Sequence, residues 1–261
     1  MVYRFYFMLL AIDIGNTDIV FGVFDNQQWI HQFRINSSFS VRSQDYEAQL
    51  RLLFLENSLK ISDISQAIIS CVVPDLRVVI KDMVNEMFGI QPILVGPEMY
   101  SILNMEILSP YEIGTDLVCN ATYAYYTYRQ TCLVVDFGTA LTYTVVSGEG
   151  KILGVSIAPG LKTAVKSLFS NTAQLPEVPL KMPDSAIGKN TVHAIQAGVL
   201  WGYVGMVREM IHQIKLEVGQ ECKVLATGGL SSILTPLRAE FDEVDKSLTL
   251  NGLKIIADLY Q

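Results

Sequence analysis

Leu9-Leu10-Ala11-Ile12-Asp13-Ile14-Gly15-Asn16-Thr17-Asp18-Ile19-Val20-Phe21-Gly22-Val23-Phe24 is an apolar run that ends in Asp13, a Gly-Asn-Thr turn, and a second apolar run. Two β-branched and aromatic runs joined through a Gly-containing turn read as a β-hairpin. Gly15 can adopt a positive φ and let a ligand approach the backbone closely. Asn16 and Thr17 offer side-chain donors, and successive turn N–H groups can form an anion-binding concavity. Asp13 is itself anionic and would meet a phosphate only through a shared cation. The turn therefore reads as a seat for the phosphates of a nucleotide. The competing reading is an ordinary hairpin turn whose Asp and Asn cap backbone groups.

A second copy shifts the balance. Leu133-Val134-Val135-Asp136-Phe137-Gly138-Thr139-Ala140-Leu141-Thr142-Tyr143-Thr144-Val145-Val146 follows the same plan. Asp25-Asn26 then turns the first copy into Gln28–Arg34, and Ser147-Gly148-Glu149-Gly150 turns the second into Lys151–Ala158. Two three-strand meanders, each with an acidic Gly-Thr first turn, predict a duplicated α/β domain. The expected lobes are residues 1–130 and 131–261, with the two turns bracketing a nucleotide in an interlobe cleft.

The 261 residues suffice for two modest lobes, and 50% of them are hydrophobic, which predicts a packed chain. A formal net charge of −7 without a Lys/Arg cluster argues against nucleic acid as the main partner. Cys71, Cys119, Cys132 and Cys222 form no C-x-x-C pair and sit in apolar segments. They read as free thiols of a reducing compartment, so the expected location is cytoplasmic. The apolar start, Met1–Met8, is too short to span a bilayer and has no small-residue cleavage site. No membrane association is expected.

Between the meanders, Gln44–Leu59 has helical spacing, with Leu50, Leu53 and Phe54 on one face. Gln66–Val73 reads as a buried strand stopped by Pro74, and Asp75 opens a helix that Gly89 ends near Phe88. Pro92–Val95 reads as a short strand, and Met99–Pro110 as irregular with one short strand over Met105–Leu108. Gly114-Thr115-Asp116-Leu117 opens a helix to about Arg129, with Thr115 the expected N-cap and Asp116 in the first turn. Asp116 either complements the helix dipole or is a carboxylate at the mouth of the cleft. After the second meander, Ala158-Pro159-Gly160 leads into a helix near Leu161–Phe169, and Leu175–Pro183 is a proline-rich loop. Gly188-Lys189-Asn190-Thr191 is not a phosphate-binding P-loop, because Pro183 stands where its first glycine is required. Asn190 or Thr191 caps a long helix to about Leu216, whose Gly198, Gly202 and Gly205 permit close packing across a dimer. His193 and His212 read as surface or packing residues. Lys223–Leu230 is a strand entering a Gly228-Gly229 turn, and Thr249–Leu259 a final amphipathic helix.

Asp13–Thr17, Gly114–Asp116, Asp136–Thr139, Ala158-Pro159-Gly160, Ile187–Thr191 and Ala226–Gly229 stand in the order and spacing of the type III pantothenate kinases. The chain resembles that family from about Leu9 to Leu259. The resemblance implies a duplicated ribonuclease-H-like fold of the actin/Hsp70/sugar-kinase superfamily, two lobes each with a mixed sheet flanked by helices, and a homodimer. It implies a transferase that moves the γ-phosphoryl of ATP to the 4′-hydroxyl of pantothenate, the first step of coenzyme A biosynthesis, using Mg²⁺ and a monovalent cation, K⁺ or NH₄⁺. It places the ATP loop on Asp13, Ile14, Gly15, Asn16, Thr17, Asp18, Ile19 and Val20, with a second ATP contact at Thr139. It places the general base on Asp116, the monovalent-cation ligand on Asp136, and pantothenate contacts on Gly114, Thr115, Asp116, Leu117 and Thr191. A helix-N-terminal Asp116 is expected to be a weak base, because the dipole favours its ionised form.

The chain departs from that pattern twice. Leu117 stands where the family usually has arginine, and Ile107 where it often has a tyrosine that touches pantothenate. Both changes remove polar groups from the substrate side. The alternatives are therefore a non-catalytic ATP-binding relative and a kinase of a related, less polar hydroxy-amide.

Overall fold

A computed structural model describes residues 8–38, 42–170, 175–229 and 231–260. Contacts divide it into two compact units, Met1–Tyr123 with Thr249–Gln261, and Ala124–Leu248.

The first unit is built on the opening hairpin. Strands β1 (Met8–Ile14), β2 (Asp18–Asp25) and β3 (Gln28–Asn36) form an antiparallel meander. Helix α1 (Ser43–Glu56) then leads to β4 (Ile64–Cys71), which runs parallel to β1. Helix α2 (Pro74–Phe88) leads to β5 (Ile93–Leu94), and the sheet order is β3-β2-β1-β4-β5. The central strand β1 is apolar on both sides because both sides are covered. Leu10, Ile12 and Ile14 pack with Leu50, Phe54, Leu76 and Ile80 of α1 and α2, while Leu9 and Ala11 join a second cluster on the opposite face. Pro74 occupies the first turn of α2, and Gly89, at φ +70°, closes it in the left-handed conformation that favours glycine.

The predicted irregular segment is partly regular. Residues 97–103 form a 3₁₀ helix that buries Met99, Tyr100 and Leu103, and residues 105–108 form no strand. Helix α3 (Thr115–Tyr128) follows and spans the boundary between the units.

The second unit repeats the plan. Strands β6 (Cys132–Phe137), β7 (Ala140–Val146) and β8 (Ile152–Pro159) form the meander, and β9 (Lys223–Thr227) runs parallel to β6. With β10 (Glu243–Val244) the order is β10-β9-β6-β7-β8, the first sheet's order read in reverse. Helix α4 (Leu161–Ser170) follows β8. The predicted long helix is three pieces in continuous sequence: α5 (Thr191–Gln196), a π-helical turn (Ala197–Trp201) and α6 (Gly202–Val218). The widened turn falls on Gly198 and abuts Gly202, where helix propensity is weakest. Val204, Val207 and Ile211 bury against Leu133, Val135 and Tyr143.

The final helix is α7 (Leu248–Leu259). Its residues from Thr249 onward belong to the first unit. Leu250, Leu253 and Ile256 pack with Leu9, Ala11, Val118 and Cys119. Trp29 Nε1 donates to Asn251 Oδ1 at 2.6 Å and Thr249 Oγ1 to Asn120 Oδ1 at 2.8 Å. The helices α3 and α7 touch at Gly252, where a Cβ would collide with the backbone of Cys119. The four cysteines are free, and among the described residues no helix is long and apolar enough to cross a membrane.

Gly252→Ala should cost about 1–3 kcal/mol, because overpacking displaces backbone rather than a flexible side-chain tip. Thermal unfolding checks it; an unchanged midpoint would mean that α7 does not approach α3 so closely.

Candidate active site

In the first unit the β1–β2 turn is held from outside. Gly15 N donates to Asp18 O at 3.0 Å, Ser37 Oγ to Gly15 O at 2.6 Å, and Ser37 N to Thr17 O at 2.8 Å. Gly15 has no positive φ; its need for glycine is space, since a Cβ would lie 3.2 Å from Asp18 O. The predicted ATP loop divides by role. Asn16 and Thr17 are exposed at the tip. Ile14 and Ile19 are core residues, and Asp18 pairs with Arg34 at 2.8 Å.

Asp13, the penultimate residue of β1, lies opposite Val20 of β2 and Ser70 of β4. Ser70 in turn ties the start of α3 to this strand end. Its hydroxyl lies 3.0 Å from Thr115 Oγ1, which accepts from Cys71 N at 2.9 Å. Thr115 is therefore the first helical residue, and its hydroxyl anchors the helix to β4 instead of capping it. Asp116 Oδ1 accepts from Leu117 N at 2.8 Å. Gly114 makes that fold-back possible, because a Cβ there would collide with Asp116 Oδ1. Burial pushes the Asp116 carboxyl above its ordinary range, against the amides of Leu117 and Asp116, which hold it down. Desolvation thus outweighs the helix terminus, the reverse of the expected weak base. Leu117 is 7% exposed, so it brings a buried apolar side chain to this segment, and its N–H is already given to Asp116.

In the second unit two glycine-bearing segments converge on the β6–β7 turn. Gly138 N donates to Ala140 O at 3.1 Å. Thr139 O accepts from Gly160 N at 3.0 Å and from Thr163 Oγ1 at 2.9 Å. A Cβ on Gly160 would collide with the carbonyls of Gly138 and Thr139. A Cβ on Gly228, held at φ +90°, would lie 2.7 Å from Asp136 Oδ1 and from the Phe137 backbone. The segments Ala158-Pro159-Gly160 and Thr227-Gly228-Gly229 thus enclose the acidic turn because they lack side chains there. Asp136 stands opposite Thr142 of β7 and Thr227 of β9, the positions that Val20 and Ser70 hold beside Asp13.

Thr191 is exposed at the start of α5, and Asn190 is the cap, its Oδ1 accepting from His193 N at 2.9 Å. A Cβ on Gly188 would collide with the backbone of Ala194, so Gly188 is fixed by this helix start. A cavity of about 660 Å³ in the second unit, lined by Lys162, Val165, Phe169, Val178 and Ile233 among others, contains none of the predicted residues. No group of three or more His, Cys, Asp or Glu side chains that could hold a metal occurs among the described residues. The sequence reading missed Ser70, Thr142 and Thr227. Aligning the two meanders by strand parity would have found Thr142.

Two sheets of one topology, each with a carboxylate near the end of its central strand and a Gly-containing turn beyond it, define the duplicated ribonuclease-H-like fold of the actin-like ATPases and sugar kinases. The crystal structure of MreB 5 of Spiroplasma citri bound to AMPPNP shares this fold, with a TM-score of 0.54 at 11% identity, covering 97% of each chain. The model of the type III pantothenate kinase family matches residues 9–213. A type III pantothenate kinase of Treponema pallidum (strain Nichols) is 44% identical over 257 residues, 96% of this chain and 94% of that one. One of Syntrophobacter fumaroxidans is 39% identical over 250 residues, 95% of this chain and 97% of that one. The chain belongs to the type III pantothenate kinase family.

Because the folded state disfavours ionised Asp116, it carries a cost that is absent well below the ordinary carboxylate range and complete above the raised folded value. Asp116→Asn should therefore melt above wild type at pH 7–8, an advantage that shrinks as pH falls toward about 4. Melting curves across that range check it; a variant less stable than wild type at pH 8 would contradict the burial argument.

Proposed function

We propose that this chain transfers the γ-phosphoryl group of ATP to the 4′-hydroxyl of pantothenate, giving ADP and 4′-phosphopantothenate. Membership of the family, over most of the chain, carries the reading. Phosphoryl transfer passes through a loose transition state, so the protein's work is positioning and charge neutralisation.

In the first unit, the amides and side chains of the β1–β2 turn hold phosphate oxygens, with Asn16 and Thr17 exposed to do so. Asp116 orients the pantothenate hydroxyl and takes its proton as the oxygen–phosphorus bond forms. A carboxyl raised by burial suits that task better than an ordinary one, since a base works best near the operating pH. Gly114 and Thr115, fixed to β4 through Ser70, set where the substrate meets that carboxylate. In the second unit, Thr139 supplies the further ATP contact, and exposed Thr191 a further pantothenate contact.

The donor chemistry fits the two cations of the reading. Mg²⁺ is ordinarily held by one or two carboxylates with water and substrate phosphates, so Asp13 suffices without a protein cage. Asp136, backed by Gly228, belongs to an all-oxygen layer that suits a hard monovalent ion. Bound there, K⁺ or NH₄⁺ would offset the charge of a carboxylate near phosphates. The free, mostly buried thiols accord with a reducing cytoplasm. Gly198, Gly202 and Gly205, whose added Cβ atoms would meet nothing within 4 Å, leave an open helix face for a second copy.

ADP release should require pantothenate and K⁺ or NH₄⁺. Asp116→Asn should lower kcat by more than about tenfold, over about 1.4 kcal/mol, while ATP still binds. ATP binding without pantothenate-dependent turnover in the wild type would favour a non-catalytic relative, and turnover only with less polar analogues a different substrate. Sedimentation should give twice the 29.0 kDa chain mass; a monomer at micromolar concentration would remove the dimer.

A further inference from the structure

Two acidic turns occupy equivalent places in the two sheets, yet at one flanking position an apolar side chain in the first is replaced by a hydroxyl in the second. Residues directly opposite on neighbouring strands point to the same face of a sheet. Beside Asp13 stand Val20 and Ser70, and the Ser70 hydroxyl is engaged with Thr115 Oγ1 at 3.0 Å. Beside Asp136 stand Thr142 and Thr227. The parity is independently fixed by packing, since Leu141, Tyr143, Val135, Phe137 and Ala226 all join the core on the other face.

Thr142 is 9% exposed, and its Oγ1 is buried without a hydrogen-bond partner. A buried hydroxyl left unpaired is destabilising, and valine would avoid that cost at nearly the same volume. The first unit has valine at this very position. A threonine that bears the cost stands directly across from the carboxylate assigned to the monovalent cation.

We infer that Thr142 Oγ1 is a protein ligand of the monovalent-cation site, donating an oxygen lone pair beside the Asp136 carboxylate, in a layer that Thr227 extends. The inference rests on the reading that Asp136 holds K⁺ or NH₄⁺. It also accounts for the asymmetry of the duplication. A large, weakly hydrated monovalent ion needs several protein oxygens. Mg²⁺ keeps its own water and needs only the carboxylate of Asp13. The hydroxyl is present in the sheet whose ion must be coordinated by the protein and replaced by a methyl in the other.

The test uses melting curves of the full chain with Mg²⁺ and a non-hydrolysable ATP analogue, titrating KCl against choline chloride at constant ionic strength. A cation bound only by the folded state raises the midpoint progressively with its concentration. Wild type and Thr142→Ser should show this K⁺-dependent rise. Thr142→Val should need at least about ten times more K⁺ for the same rise, as losses around a metal site commonly do. In choline alone it should melt at or above wild type. Thr144→Val is the control: its hydroxyl is also buried and unpartnered on the same face, but it stands opposite Val134. It should leave the K⁺ response unchanged. A Thr142→Val response equal to wild type, with Asp136→Asn lacking one, would overturn the assignment of Thr142 and leave the cation at Asp136. A wild type indifferent to K⁺ would overturn both.

Discussion

Ending an apolar strand in a carboxylate, at the centre of a sheet covered on both faces, is the constraint on which both units turn. Charge is poorly tolerated in such a place, and several neighbours either remove bulk or supply an oxygen. Gly228 and Gly160 remove bulk, bringing backbone to within contact of Asp136 and the Thr139 turn where a methyl group would not fit. Ser70, Thr142 and Thr227 supply oxygen at the flanking register positions. The central position of each strand sets its carboxylate between two neighbouring strands.

The same constraint explains why α3 begins where it does. Cys71 is the last residue of β4, paired with Ile14 of β1, and its N–H donates to Thr115 Oγ1 at 2.9 Å. The helix start is thereby fixed to the strand that flanks Asp13. One hydroxyl links the proposed base to the proposed phosphate turn through protein backbone, with no mobile loop between. Gly114 completes the arrangement by leaving room for the Asp116 carboxylate to fold onto its own helix N-terminus.

Most of the fold was legible because it is local. The alternating and apolar runs located both meanders, Gly89 closed α2, and Asn190 capped α5, each a decision made within a few residues. The failures are tertiary. Nothing in residues 249–259 says that they pack on β1 and not on β6; that depends on Gly252 fitting against the Cys119 backbone. Thr115 reads as a cap from its neighbours alone, and only the distant Cys71 amide turns its hydroxyl elsewhere. The 3₁₀ helix over residues 97–103 likewise owes its form to burying Met99, Tyr100 and Leu103 in a cluster assembled from remote segments. The residues proposed for the site were chosen by type and spacing. Their supporting hydroxyls were missed because a threonine in a strand looks like strand propensity until its partner strand is known.

Asp116 shows where local reasoning misjudges sign as well as partner. The helix N-terminus does stabilise its ionised form, through the amides of Leu117 and Asp116, but burial acts in the opposite direction and is larger. A fully exposed aspartate in the first turn would be held ionised and would accept a proton poorly. Drawing the same carboxylate into the protein raises its proton affinity, while Gly114 and Leu117 N–H keep its orientation. The penalty falls on stability, and under the proposed role of Asp116 the benefit falls on proton transfer. That opposition accounts for a costly arrangement in a segment where an asparagine would fold more readily.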